Sequence, residues 1–212
     1  MIDFSKIKEI TLPEGKVSKI SINNVTVWET PHGYKKRLKC LVGTGEQYID
    51  TGLIISTASD TVQLVFQALE ENIYKWFFGE HDNNARLALG SGDGVDTRNL
   101  AYGSTTKKVS DSKFYNSTHV FYADTNGVFL DNVKELNFSK FTSNSTIYLF
   151  DLNLGSGNYK SKVKIWSYKH TRNGTLICDL IPVLDFNDVA CFYDNVSKKL
   201  FYNKGTGEFD YE

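Results

Sequence analysis

Apolar and polar residues alternate along Val17-Ser18-Lys19-Ile20-Ser21-Ile22, the period of a strand with one buried face. A strand-like run, Ile7 to Leu12, precedes it, with Pro13-Glu14-Gly15-Lys16 as the turn between them. Asn23-Asn24 forms a second turn before a third run, Val25 to Trp28. Residues 1–30 therefore predict a small three-stranded meander. Such a unit buries too little apolar surface to stand alone, so it must pack on the rest of the chain, on a copy of itself or in a larger assembly. Residues 31–35 read as a linker, because Pro31 and Gly33 interrupt any regular element. From residue 36 to 212 the pattern is strand-like almost throughout. Candidates are Arg37–Val42, Tyr48–Asp50, Thr61–Ala68, Tyr74–Gly79, Ala85–Leu89, Leu100–Tyr102, His119–Ala123 and Gly127–Leu130. Thr146–Leu152, Lys162–His170, Thr175–Val183, Val189–Asp194 and Lys199–Tyr202 follow. Clusters such as Asp82-Asn83-Asn84 and Gly90-Ser91-Gly92-Asp93-Gly94 supply turns between them. No window keeps a helical period. Short strands at this spacing predict an all-β, antiparallel two-sheet sandwich of jelly-roll type.

Composition narrows the function more than the fold. The 212 residues suit one sandwich plus a small appendage. Lys and Arg number 24 against 25 Asp and Glu, a net charge of −1, and a nucleic-acid binder needs a clustered surplus of cations. Aromatic residues make up 14% of the chain, enough to build a core between two sheets. Cys40, Cys178 and Cys191 form no CxxC pair and no metal spacing, so three buried reduced thiols are expected. That usage fits synthesis in a reducing bacterial cytoplasm. The N-terminus has no apolar signal region, and no apolar run approaches the ~18 residues of a spanning helix, so no membrane insertion is expected.

Candidate chemistry is sparse. No Gly-x-Ser-x-Gly elbow and no His-Glu-x-x-His occurs. A glycosidase on a sandwich needs two carboxylates on one sheet face, about 5–10 Å apart, and no strand offers a Glu-x-Asp-x-Glu triplet. Catalysis is not expected. Asp82, Asp93 and Asp96 sit in or beside oxygen-rich loops that suit calcium; turn formation explains the same residues. Saccharide recognition needs an aromatic platform beside polar side chains. Trp76, His81, Arg86, Arg98 and Tyr102 fall together in mid-chain and form the candidate set, although consecutive Trp76-Phe77-Phe78 must give part of itself to the core.

Two segments carry a resemblance. Gly43-Thr44-Gly45-Glu46-Gln47-Tyr48-Ile49-Asp50-Thr51-Gly52 resembles the opening motif of concanavalin A-like (LamG-like) lectin/glucanase sandwiches found in gut Firmicutes and their phages. Leu180 to Asp185, Val189 to Asp194 and Lys199 to Phe209 resemble that family's closing motif, which reads physically as a structural clasp. The likeness spans about residues 36–212. Residues 1–30 are similar to short N-terminal modules of phage tail and appendage proteins. The resemblance implies a non-enzymatic virion protein: residues 1–30 would anchor it to other virion proteins, and a lectin-like domain would meet cell-surface polysaccharide. Display in several copies, as a homo-oligomer, would suit weak binding. A host-encoded carbohydrate-binding or adhesion module, and a glycoside hydrolase on the same fold, stay open as alternatives.

Overall fold

The computed structural model describes residues 33–212 apart from 71–73, 83–84, 93, 95 and 156–158, and the backbone of 11–12, 15–16, 19–22 and 25–29. Its strands in chain order begin with β1 Thr11–Leu12, β2 Gly15–Lys16, β3 Lys19–Ile22, β4 Val25–Glu29, β5 Lys36–Arg37, β6 Leu41–Val42 and β7 Ile49–Asp50. Next come β8 Thr61–Ala68, β9 Trp76–Asp82, β10 Ala85–Ser91, β11 Thr97–Gly103, β12 Thr105–Ser110, β13 His119–Asp124 and β14 Gly127–Leu130. The last are β15 Val133–Asn137, β16 Tyr148–Leu149, β17 Val163–Arg172, β18 Thr175–Leu184, β19 Ala190–Asp194, β20 Leu200–Phe201 and β21 Asp210–Tyr211. No helix occurs among the described residues.

Two antiparallel sheets form the sandwich. One has six strands in the order β12-β11-β10-β9-β16-β7. The larger runs β15-β14-β13-β8-β17-β18-β19-β20, with β5 on β18 and with β6 joining β17 to β21. The alternation that defines a one-faced strand is plain in β8: Val62, Leu64, Phe66 and Ala68 point inward, and Thr61, Gln63, Val65 and Gln67 point out. Rings interlock across the sheet gap. Phe66 of β8 stacks on Phe77 of β9 at 5.8 Å, and Phe121 of β13 meets Phe78 of β9 edge-on at 4.7 Å. All three cysteines are unpaired and buried.

The expected meander over residues 1–30 lies partly outside the described residues. Two two-stranded ladders, β1–β2 and β3–β4, are described there, and among the described residues neither pairs with a strand of the sandwich sheets. β12 and β15 have no counterpart among the expected strands. Both are edge strands with mostly exposed residues, so no apolar alternation marks them. Glu135 of β15 joins the two edges, accepting Lys107 of β12 at 2.7 Å and Arg98 of β11 at 2.6 Å.

The C-terminus closes the fold as the clasp reading requires. Phe209 is buried against Phe150 at 4.7 Å, and β21 pairs with β6. Gln47 reaches across from the opening motif and donates to the Glu208 carbonyl at 2.9 Å. The two motif aspartates organise turns. Asp185 accepts from the Asn187 and Val189 amides and from Tyr202, and Asp194 accepts from the Asp179, Val196 and Ser197 amides. These bonds hold both carboxyls below the usual carboxylate range, although burial alone would raise them.

Candidate functional site

Strand register builds a small-residue trough on the outer face of the six-stranded sheet. Thr106, Ala101, Ala88, Gly79, Tyr148 and Asp50 are successive cross-strand partners from β12 to β7. At about 4.8 Å per strand this row spans roughly 24 Å. Its middle is low because Ala101, Ala88 and Gly79 carry almost no side chain. Gly79 has φ +149°, and a Cβ there would meet the Leu87 carbonyl oxygen at 2.5 Å.

Trp76 fills part of this trough. It packs with Ala88, Ala101 and Leu152 in a second small core on the outer face, flanked by Leu154 and Tyr159. A bulge in the β9–β10 ladder explains the direction of the three consecutive aromatics. The register shifts between Leu89 and Gly90, which pair with Phe78 and Trp76, so Phe77 is the extra residue. Phe77 and Phe78 thus both join the main core while Trp76 turns outward.

Beside Trp76 the trough stays open. A groove of about 270 Å³ is lined by Tyr74, Trp76, Arg86, Asn99, Leu100 and Thr106. Tyr74 is 54% exposed, and its backbone is left-handed with φ 56°. A bulky residue pays a steric cost for that conformation and keeps it only when its surroundings enforce it. Here the neighbouring backbone is pinned to the sheet: the Tyr74 amide donates to Gly92 and the Lys75 amide to the Ser91 hydroxyl. Asn99 donates to the Ser91 carbonyl at 3.3 Å, which leaves its amide oxygen without a partner among the described residues. Arg86 is half-buried, and no ion pair or hydrogen bond engages its guanidinium among the described residues.

The structure divides the expected saccharide set. Trp76, His81 and Arg86 lie on the outer face, with His81 the cross-strand partner of Arg86. Burial and the Arg86 charge lower the His81 pKa, and its Nδ1 is buried without a partner. Arg98 and Tyr102 leave the set. They lie in phase with Leu100 on the inner face, 5% and 4% exposed. Arg98 pairs with Asp111 and Glu135 and lies over the Phe114 ring. Tyr102 donates to the Asp124 carbonyl, and burial pushes its hydroxyl up to about 12. Tyr74, Asn99 and Thr106 were missed. Tyr74 is two residues from Trp76, so alternation alone would place it on the same side. Asn99 is out of phase with Arg98 by one residue.

Of the expected calcium set, Asp93 lies outside the described residues. Asp82 accepts two bonds from Asn144, and Asp96 sits in a turn before β11 with φ 51°. Among the described residues no group of three His, Cys, Asp or Glu side chains could hold a metal ion.

Two titratable groups are buried away from the groove. Glu80 is fully buried, accepts from the Ser143 hydroxyl and from the Leu87 amide, and burial raises its carboxyl to about 7. His170 is also fully buried beside Tyr168 and Asp60, and burial lowers it to about 4. Neither reaches the surface, so neither can act on a bound molecule.

A second groove crosses the outer face of the larger sheet, where Phe129, Tyr122, Gln63 and Lys169 are successive register partners on β14, β13, β8 and β17. Its upper part is the larger of the two, about 390 Å³, with Asp124 and Asn132 beside an aromatic pair, Tyr122 and Phe129, that is tilted at 6.3 Å and half-buried.

No family model matches the chain, and no curated protein matches it. Among solved structures it is similar to a Bacteroides ovatus protein with a provisional assignment to carbohydrate binding, at TM-score 0.50 and 12% identity. The alignment covers 82% of this chain and 60% of that one, so the chain spans less than two thirds of its neighbour. At that identity the likeness shows the fold alone, an antiparallel two-sheet β-sandwich.

Proposed function

We propose that this chain is a non-catalytic carbohydrate-binding sandwich whose ligand lies in the groove beside Trp76. The carrying observation is Tyr74: an exposed ring held in a left-handed backbone at the rim of a trough that also offers Arg86, Asn99 and Thr106. Sugars present flat apolar C–H faces to aromatic rings and hydroxyls to amides and guanidinium groups, and this lining supplies both. Among the described residues no carboxylate lines the groove, whereas glycoside hydrolysis needs two. The fold neighbour's own assignment supports the same reading.

Binding of the intact protein to a panel of immobilised polysaccharides tests this. Tyr74→Ala is expected to weaken the wild-type interaction about tenfold, the effect of losing one aromatic contact. Tyr122→Ala, in the other groove, is expected to leave it unchanged. The reverse result would move the site to the larger sheet, and a wild-type protein that binds no polysaccharide would end the carbohydrate reading.

The finer reading is a virion attachment protein, displayed as a homo-oligomer and anchored through residues 1–30. The resemblance of those residues to phage appendage modules supports it. Light scattering on the full chain checks the oligomer, and a strictly monomeric protein at high concentration would overturn it.

A further inference from the structure

Arginine in a half-buried position is costly without a counter-charge, because the guanidinium gives up water and receives no fixed anion in return. Arg86 is in that position. Two other arginines of the sandwich are each paired: Arg98 has Asp111 and Glu135, and Arg172 has Asp60. Arg86 faces the groove instead, with Tyr74, Trp76, Asn99 and Thr106, none of them acidic. The protein as a whole carries a net charge of −1, so Arg86 is not one cation among many on a basic surface.

We infer that the groove receives an anionic saccharide, its carboxylate or sulfate bound by the Arg86 guanidinium while a sugar face lies on Tyr74. This rests on the carbohydrate reading above and names its ligand class. The planar fork of arginine matches two anion oxygens at once, which a lysine point charge does not. The Asn99 amide oxygen and the Thr106 hydroxyl then meet the ring hydroxyls.

Isothermal titration of the full chain with polygalacturonate, dextran sulfate and neutral dextran tests the inference. Wild type is expected to bind at least one anionic polymer in preference to dextran, and the two anionic polymers separate carboxylate from sulfate recognition. Arg86→Gln should lose about 10- to 100-fold of that affinity, the worth of one charge-assisted hydrogen bond. Arg86→Lys should fall between. Lys134→Gln removes the same charge from the edge of the larger sheet and should change nothing. Equal loss in Lys134→Gln and Arg86→Gln would show a global charge effect and overturn the inference. Preferred binding of dextran, weakened by Tyr74→Ala and indifferent to Arg86→Gln, would also overturn it while leaving the carbohydrate reading standing. Failure to bind any of these polymers, or any in the wider panel, would end both.

Discussion

Tyr74 shows at a single residue how function and stability part company. Its φ of 56° is a conformation that costs an L-residue about 1–2 kcal/mol, and glycine adopts it freely. Tyr74→Gly is therefore expected to leave the melting temperature unchanged or raise it slightly while weakening saccharide binding about tenfold, as Tyr74→Ala does. Thermal unfolding read beside binding checks this, and a large drop in melting temperature would mean that the ring contributes to packing after all. The sequence could not show this strain, because nothing in Lys75 or Tyr74 itself demands a left-handed backbone. The same limit applied to Arg98 and Arg86. Both read as polar residues near a turn, and only the phase of each strand decided that one points into the core toward Glu135 and the other into the groove.

At the level of elements, the end motifs were the most legible part of the chain. The closing motif, Leu180 to Asp185 and Val189 to Asp194, read as a structural clasp, and its two aspartates cap turns through backbone amides. The closing clasp works through one buried ring. Phe209→Ala is expected to destabilise the protein by about 3–5 kcal/mol, since it empties a site packed against Phe150. Chemical denaturation checks this, and a loss below about 1 kcal/mol would show that β21 merely lies on the surface. Less legible was the β9 bulge. Three aromatics in a row cannot alternate into one core, and the extra residue at Phe77 resolves that conflict by register, which hydrophobicity does not encode. The edge strands β12 and β15 were invisible for the opposite reason, because they bury too little to show a pattern.

For the whole molecule, two of the buried titratable groups, Glu80 and His170, pull stability in opposite directions with pH. Glu80 has a folded pKa raised to about 7 from 4.5, so the native state holds its proton more tightly. The stability it supplies is full below about 4.5 and is lost as pH rises to 7. His170 has a folded pKa lowered to about 4 from 6.5, so its stability is full above 6.5 and is lost as pH falls toward 4. The windows overlap between roughly 4.5 and 6.5, where the slopes oppose each other. The contributions of these two residues are expected to offset each other across that range. Glu80→Gln should unmask a fall toward acid, and at pH 8 it should be more stable than wild type by on the order of 2 kcal/mol. Denaturant midpoints at four or five pH values check this, and parallel curves for the two proteins would show that Glu80 is already ionised throughout.

The join between the sheet edges has a colloidal consequence. β12 lies at the rim of its sheet, where unpaired N–H and C=O groups would invite a strand from a neighbouring molecule. It presents Lys107 and Lys108 there, and Lys107 is tied to Glu135 of the other rim. Polar side chains already engaged at that rim give an apolar strand from a second copy little to pack against, so pairing there gains little. Replacing both lysines with valine should turn that rim into a nucleation surface, visible as light scattering that grows with concentration while the fold itself stays intact.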